Sequence, residues 1–257
     1  MKVVIFCGGL GTRLREFSDT IPKPLVPIGT RPILWHLMKY YAHYGHKDFI
    51  LCLGYKGELI KEFFLKYEEH LSCDFVMEQG RKRTLPPDSD ISDWRIAFID
   101  TGLHAKIGER LLAVREHLDG EEMFLVNYGD QLSDLPLDTH LARFQRSDAV
   151  GAFAAVRPLH SFHCVQFGRN GHVRKLATPE EADLWINGGY MIFRKALFEY
   201  MRPGEELVEQ PFARLIEGGA LLGYKHEGFW MAMDTFKDKI TFDRMDGRGE
   251  RPWQVWR

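Results

Sequence analysis

Apolar positions in the first half of the chain form short runs that alternate with helical patterns. Lys2-Val-Val-Ile-Phe-Cys7 is apolar without alternation, the signature of a strand buried on both faces. Residues 48–53 and 123–127 repeat it, and 74–77 and 97–100 give shorter strand signals. Between them, Pro32 opens a helical pattern through Ile33, Leu34, Leu37, Met38 and Tyr41, and helices are predicted over 58–67 and 107–118. Strands alternating with helices of this length predict βαβ units and a parallel sheet. Beyond residue 150 the rhythm changes. Strands are predicted at 150–156, 165–167, 172–176 and 190–193, a turn at Arg169-Asn170-Gly171, and a helix over 210–217. The polar stretch 81–94, with Pro86 and Pro87 paired, reads as a long loop of the kind that is often functional. No repeat, low-complexity tract or linker divides the chain.

Composition narrows the function classes. With 257 residues, 45% of them hydrophobic, the chain can build a sizeable core without a disulfide or metal staple. Its 34 Lys+Arg against 36 Asp+Glu give a formal charge of −2, which argues against a nucleic-acid partner held through phosphates. No apolar run approaches a membrane span, and the first one is too short for a signal-peptide core. Cys7, Cys52, Cys73 and Cys164 form neither a CxxC pair nor a zinc spacing. Reduced thiols in a cytoplasmic protein are therefore expected.

The first strand runs into Gly8-Gly9-Leu10-Gly11-Thr12-Arg13-Leu14. Glycines let backbone N–H groups close around a phosphate, and a cation and a hydroxyl in the same loop add charge-assisted donors. A tight strand-to-helix turn with an incidental arginine would read the same way. The loop is not a Walker A, and Leu14 replaces the third glycine of the dinucleotide fingerprint. Lys23, between Pro22 and Pro24, lies on a segment that prolines stiffen. Asp130 stands just past a buried strand, where open α/β sheets bind ligands. Asp234 is a second isolated carboxylate after apolar residues. Two carboxylates from distant segments suit a Mg²⁺ that keeps waters and bridges substrate phosphates.

Together GGLGTRL, PKPLVPIG, YGD and MDT resemble the sugar-phosphate nucleotidyltransferases, and the cytidylyltransferase branch in particular. Arg31-Pro-Ile-Leu-Trp-His36, Gly54-Tyr-Lys-Gly57, Asp100-Thr-Gly102, Asn187-Gly-Gly189, Gly228-Phe-Trp230 and Pro252-Trp253 with Trp256 extend the resemblance over essentially the whole chain. It implies an α/β fold, a Rossmann-like mixed but mostly parallel sheet flanked by helices, of the nucleotide-diphospho-sugar transferase type. It also implies a single domain over 1–257, with a nucleotide-binding half (1–135), an acceptor half (136–240) and a small C-terminal annex (241–257). The implied reaction couples CTP to a phosphate-bearing acceptor and releases pyrophosphate.

The resemblance carries roles to individual residues. Phe6, Cys7, Gly8, Gly9, Leu10, Gly11, Thr12 and Arg13 would wrap the triphosphate, with Arg110 and Gly129 as further nucleotide contacts. Lys23 would hold the α-phosphate, and Asp130 and Asp234 would bind Mg²⁺, so that Arg13, Lys23 and Asp130 form the catalytic set. Asn187, Gly188, Gly189 and Trp230 would shape the acceptor site. A homo-oligomer is implied, with neither nucleic acid nor membrane as partner. Positioning and charge neutralisation carry such a reaction, because the acceptor phosphate is already an anionic nucleophile.

Three positions depart from the family pattern. Thr178 stands where a lysine usually grips the acceptor phosphate, Ala105 where a hydroxyl is expected, and Gln131 where glycine follows the aspartate. Arg174, at even spacing from Thr178, would share its face on a continuous strand and could replace the charge. Alternatively the acceptor is a divergent phosphate or phosphonate rather than glucose 1-phosphate, which the chain is then expected to use poorly. A nucleotide-binding protein without turnover is a third reading, opposed by the joint presence of Arg13, Lys23, Asp130 and Asp234. Asp88-Ser89-Asp90 also fits the DxD of metal-dependent glycosyltransferases, though a solvated loop explains it better. His160 and His163 lack a third ligand nearby, and Trp185, Trp253 and Trp256 read as packing residues.

Overall fold

The computed structural model describes residues 1–9, 20–85, 90–158 and 163–256, built around an eight-stranded sheet. In spatial order the strands are Ile186–Asn187, Gly151–Val156, Met191–Arg194, Met123–Tyr128, Lys2–Phe6, Asp48–Leu53 and Arg95–Asp100, and Leu221–His226 pairs with Gly151–Val156. Lys2–Phe6 runs parallel to both its neighbours, and Arg95–Asp100 parallel to Asp48–Leu53. Met191–Arg194 is antiparallel to the strands on either side. The sheet is mixed and mostly parallel, as expected.

Burial explains why the first strand shows no polar alternation. Val3, Ile5 and Cys7 pack into one hydrophobic core, Val4 and Phe6 into a second, so both faces are covered. Phe49 and Leu51 against Ile50 and Cys52 divide the same way. After Asp48–Leu53 and Arg95–Asp100 the chain crosses to the other side of Lys2–Phe6 to form Met123–Tyr128. The register sets Phe6 beside Cys52 and Tyr128, so the first glycines, Gly54 and Gly129-Asp130 all leave the same sheet edge. That edge lies at a topological switch point, where α/β sheets bind ligands.

Helix Ile33–His43 buries Ile33, Leu34, Leu37, Met38 and Tyr41 at the predicted spacing, with Pro32 as the residue before it. The segment predicted as one helix over 107–118 is α-helical over Ile107–Ala113 and continues as a 3₁₀ turn, Arg115–Leu118. Gln210–Glu217 is helical as predicted.

The reading of 81–94 as a loop is corrected at its start, 81–85, while 90–93 are turn and 86–89 lie outside the described residues. Asp74–Glu78 and Arg81–Leu85 form a two-stranded antiparallel ribbon whose turn residues, Gln79 and Gly80, have φ of 48° and 76°. Positive φ at both positions suits the right-handed twist of a hairpin. The sequence pattern found its first strand, at 74–77, but missed Arg81–Leu85, whose RKRTL sequence shows no apolar alternation. Strands Gln131–Ser133 and Trp230–Ala232, which pair with each other, and helices Leu137–Gln145 and Phe236–Gly247 were likewise not anticipated. Trp253 is buried near the rings of Phe242 and Phe229, with centroids at 5.4 and 5.7 Å. No helix among the described residues is long and apolar enough to cross a membrane.

Candidate active site

The edge beyond Phe6 opens into a cavity of about 240 Å³ lined by Phe6, Cys7, Gly8, Gly9, Lys23, Arg110 and Asp130. The chain passes its neighbours closely here. A Cβ on Gly54 would stand 2.8 Å from the Gly8 carbonyl oxygen, and one on Gly8 would collide with the Arg110 guanidinium. Arg110 is buried and donates to the carbonyls of Leu53 (3.0 Å), Gly8 (3.1 Å) and Leu103 (3.3 Å) and to Thr101 Oγ1 (2.8 Å). It braces the glycine segment from behind while lining the cavity. Gly129 donates its N–H to the Phe6 carbonyl at 3.0 Å, tying the two strand ends together. Leu10, Gly11, Thr12 and Arg13 lie outside the described residues. Tyr128, the first residue of the YGD motif, also lines the cavity, as do Lys106 and Glu206, which no sequence motif singled out.

Three residues distant in sequence converge here, Lys23 and Asp130 on the cavity wall and Asp234 against Lys23. Lys23 opens a 3₁₀ turn, Lys23–Leu25, between Pro22 and Pro24. Asp130 and Asp234 meet because Gln131–Ser133 pairs antiparallel with Trp230–Ala232 and the Met233 N–H donates to the Asp130 carbonyl at 2.8 Å. Lys23 Nζ lies 2.6 Å from Asp130 Oδ2 and 2.6 Å from Asp234 Oδ1. Burial would lower the Lys23 pKa, but the two carboxylates outweigh it and hold the ammonium above the ordinary lysine value. Asp234 is also fixed through its backbone, whose N–H donates to Asp238 Oδ2 at 3.1 Å in the first turn of Phe236–Gly247.

The donor set fits a hard divalent cation. Both groups are carboxylates, and both oxygens touch one ammonium nitrogen, so they lie no further apart than twice 2.6 Å. Among the described residues no cluster of three or more His, Cys, Asp or Glu exists, which leaves further ligands to substrate phosphates and water.

A second cavity, about 590 Å³, is lined by Thr178, Trp230, Arg157, Val156, Pro179 and His226 among others. Beside it, the Gly188 carbonyl accepts from both Trp230 Nε1 and Gln131 Nε2, each at 2.8 Å, and Asn187 Oδ1 accepts from the Gly189 N–H at 2.9 Å. Gln131 is 3% exposed and also donates to Asn127 Oδ1 at 2.5 Å. It fills the space that a glycine there would leave beneath the Asn187-Gly188-Gly189 segment. Gly189 has φ +73°, and a Cβ on it would collide with Gln131 and Asn127.

The pairing of Arg174 with Thr178 needs correction. The strand stops at Ala177, and Thr178 turns into a reciprocal cap, its N–H donating to Glu181 Oε2 (3.1 Å) while its Oγ1 accepts from the Glu181 N–H (3.2 Å). Arg174 is exposed on the Cys164–Phe167/Val173–Ala177 ribbon and is not among the residues lining the cavity. The cation that does line it is Arg157, at the end of strand Gly151–Val156. Its guanidinium donates to Asp183 Oδ1 and the Glu180 carbonyl, both at 3.3 Å, and lies 4.4 Å from the centre of the Trp185 ring. A lone arginine after a strand carries no sequence signal; only the fold places it beside Thr178.

The rival motif resolves differently. Asp88, Ser89 and His160 lie outside the described residues. Asp90 accepts from Tyr67 Oη at 2.7 Å and pairs with Lys39 at 3.6 Å, in a different cleft from Asp130. Ala105 lines the first cavity with no hydroxyl to offer.

Residues 2–238 match the model of the nucleotidyl transferase family. Glucose-1-phosphate cytidylyltransferases of Salmonella typhimurium and Salmonella typhi are 37% and 36% identical to the chain over the full length of both partners. Among solved structures, UDP-glucose pyrophosphorylase complexed with UDP-glucose shares the fold, with a TM-score of 0.71 over 96% of this chain and 98% of that one at 17% identity. A family model spanning nearly the whole chain and relatives matched end to end make this protein a member of the nucleotidyl transferase family, of the sugar-phosphate type that includes the glucose-1-phosphate cytidylyltransferases.

Proposed function

We propose that this enzyme couples CTP to a sugar 1-phosphate, giving a CDP-sugar and pyrophosphate. The observation that carries the reading is the convergence of Lys23, Asp130 and Asp234 beside the glycine segment at the sheet's switch point. An acceptor phosphate oxygen attacks the α-phosphorus of CTP and forms the new P–O bond. The bond to the bridging oxygen of the β-phosphate breaks, and pyrophosphate leaves with that electron pair. No proton needs to be removed from the nucleophile. The protein's work is to hold two anions in line and offset their charge.

In this reading the segment from Phe6 to Arg13 cradles the triphosphate, and Arg110 keeps Gly8 in place from behind. Lys23 donates to the α-phosphate as charge accumulates there. A Mg²⁺ held by Asp130 and Asp234 would neutralise phosphate charge when bound. That arrangement requires Lys23 to give up at least one carboxylate for the substrate. On the acceptor side, Asn187, Gly188, Gly189 and Trp230 shape the sugar site, and Thr178 lines it as a neutral cap. Arg157 supplies the cation that the family lysine would have given, so a glucose 1-phosphate acceptor needs no divergent chemistry. Free Cys7, Cys52, Cys73 and Cys164 support a reducing, cytoplasmic setting, and the resemblance supports a homo-oligomer.

A screen of pyrophosphate release from CTP, dTTP and UTP against sugar 1-phosphates, other phosphomonoesters and phosphonates tests the proposal. CTP with a sugar 1-phosphate should give the fastest release. Release of nucleoside diphosphate instead would establish a glycosyltransferase, and CTP binding without turnover a binding protein.

A further inference from the structure

A third cleft, about 440 Å³, opens where the far ends of two catalytic segments meet. The segment after Lys23 continues into the hairpin Pro27–Ile28/Arg31–Pro32, whose residues Ile28 to Arg31 line this cleft. Helix Phe236–Gly247 starts two residues after Asp234 and brings Asp246, roughly 15 Å along its axis, to the same place. Hairpin and helix are in close contact there. Gly29 has φ +60°, and a Cβ on it would stand 2.5 Å from Asp246 Oδ2.

The cleft holds a buried charge with no counter-ion among the described residues. Arg31 is 2% exposed, and its Cζ lies 4.2 Å from the centre of the Tyr67 ring and 5.5 Å from that of Trp35. Nη2 donates to the Glu68 carbonyl at 2.7 Å and to Ser72 Oγ at 2.5 Å, but Nε and Nη1 are buried with no acceptor among the described residues. The carboxylates lining the cleft are committed elsewhere, Asp246 to Arg251 at 2.6 Å and Asp90 to Lys39 at 3.6 Å. Among the described lining residues three cations face two carboxylates, and Arg31 is the one left over. His36 adds no charge, because burial pushes its imidazole down to about 4. Burying an unpaired guanidinium is costly, and an incoming anion recovers that cost.

We propose that this cleft is a second anion site, which binds a small phosphate-bearing metabolite through Arg31 with Trp256 as an apolar wall. A dianionic phosphate can engage Arg31 and a rim cation, Lys39 or Arg251, together, whereas a single carboxylate satisfies only the surplus charge. The ligand bridges the hairpin that leads from Lys23 and the helix that leads from Asp234, so occupancy alters turnover. That consequence rests on the proposed function; binding itself does not.

Inorganic phosphate is the probe, titrated into full-length wild type and into Arg31→Gln and followed by calorimetry and by ³¹P line width. Arg31→Gln should lose one class of phosphate binding, at least fivefold in affinity, while CTP affinity stays unchanged. Arg251→Gln, on the rim, should weaken the same class and provides the test if Arg31→Gln does not fold. Identical phosphate isotherms in wild type and both variants would overturn the proposal. So would loss of oligomeric state in Arg31→Gln without phosphate, since the cleft would then belong to a second copy of the chain. A chain that binds phosphate through Arg31 but never releases pyrophosphate would sink only the proposed function.

Discussion

Removing the ammonium between the two carboxylates is the most direct perturbation of the site. Lys23→Met keeps length and removes charge, leaving Asp130 and Asp234 to face each other. Each oxygen lies 2.6 Å from the nitrogen, and the side chains are 25% and 28% exposed. Two unit charges ~5 Å apart repel by ~3 kcal/mol at an effective dielectric constant of ~20. Water reaching a quarter of each side chain reduces this, so a net destabilisation of ~2 kcal/mol is expected. At ~2–4 °C per kcal/mol for a chain of this size, that lowers Tm by ~4–8 °C. Millimolar Mg²⁺ should restore most of the loss in the variant, because the metal supplies the missing charge. It should stabilise wild type less, where it must first displace Lys23. Thermal unfolding of both proteins at low ionic strength, in EDTA and in Mg²⁺, measures all four states. Equal melting temperatures in EDTA, or equal gains from Mg²⁺, would refute the assigned geometry.

Three further outcomes are expected. Asp130→Asn or Asp234→Asn should keep the fold and lose at least ~100-fold in pyrophosphate release, through lost charge stabilisation; near-normal rates in either folded variant would remove that residue from the site. Arg157→Gln should raise KM for the acceptor phosphate severalfold and leave the KM for CTP alone, which a merely structural loss would not do. Burial pushes His36 and His140 down to about 4, below their unfolded value of ~6.5. The unfolded chain therefore takes up protons first as pH falls, and stability present above pH ~6.5 is lost toward pH ~4, by up to ~3 kcal/mol per histidine. Urea midpoints at pH 7 and pH 5 measure this, and His140→Gln should flatten the decline by one histidine's share.

The sequence by itself determined the parallel part of the sheet and the charged residues at the edge where its strands end. Doubly buried strands must be apolar at every position, so Lys2–Phe6, Asp48–Leu53 and Met123–Tyr128 announce themselves without alternation. Lys23, Asp130 and Asp234 were legible for a related reason: a charged residue held by prolines, or isolated after an apolar run, contrasts with its local sequence. Of the ribbon Asp74–Glu78/Arg81–Leu85 only the first strand was legible, because the sequence RKRTL leaves no hydrophobic period to read. Contacts between distant segments were closed to sequence reasoning altogether. Even spacing put Arg174 beside Thr178 on paper, yet the strand ends at Ala177 and the cap to Glu181 turns Thr178 away. Only the tertiary structure brought Arg157 to the cavity beside Thr178, Gln131 under Gly188 and Arg31 between Tyr67 and Trp35 with no counter-ion among the described residues. Local pattern records what each segment must bury; which side chains then meet depends on how buried elements pack, and that information is spread over the whole chain.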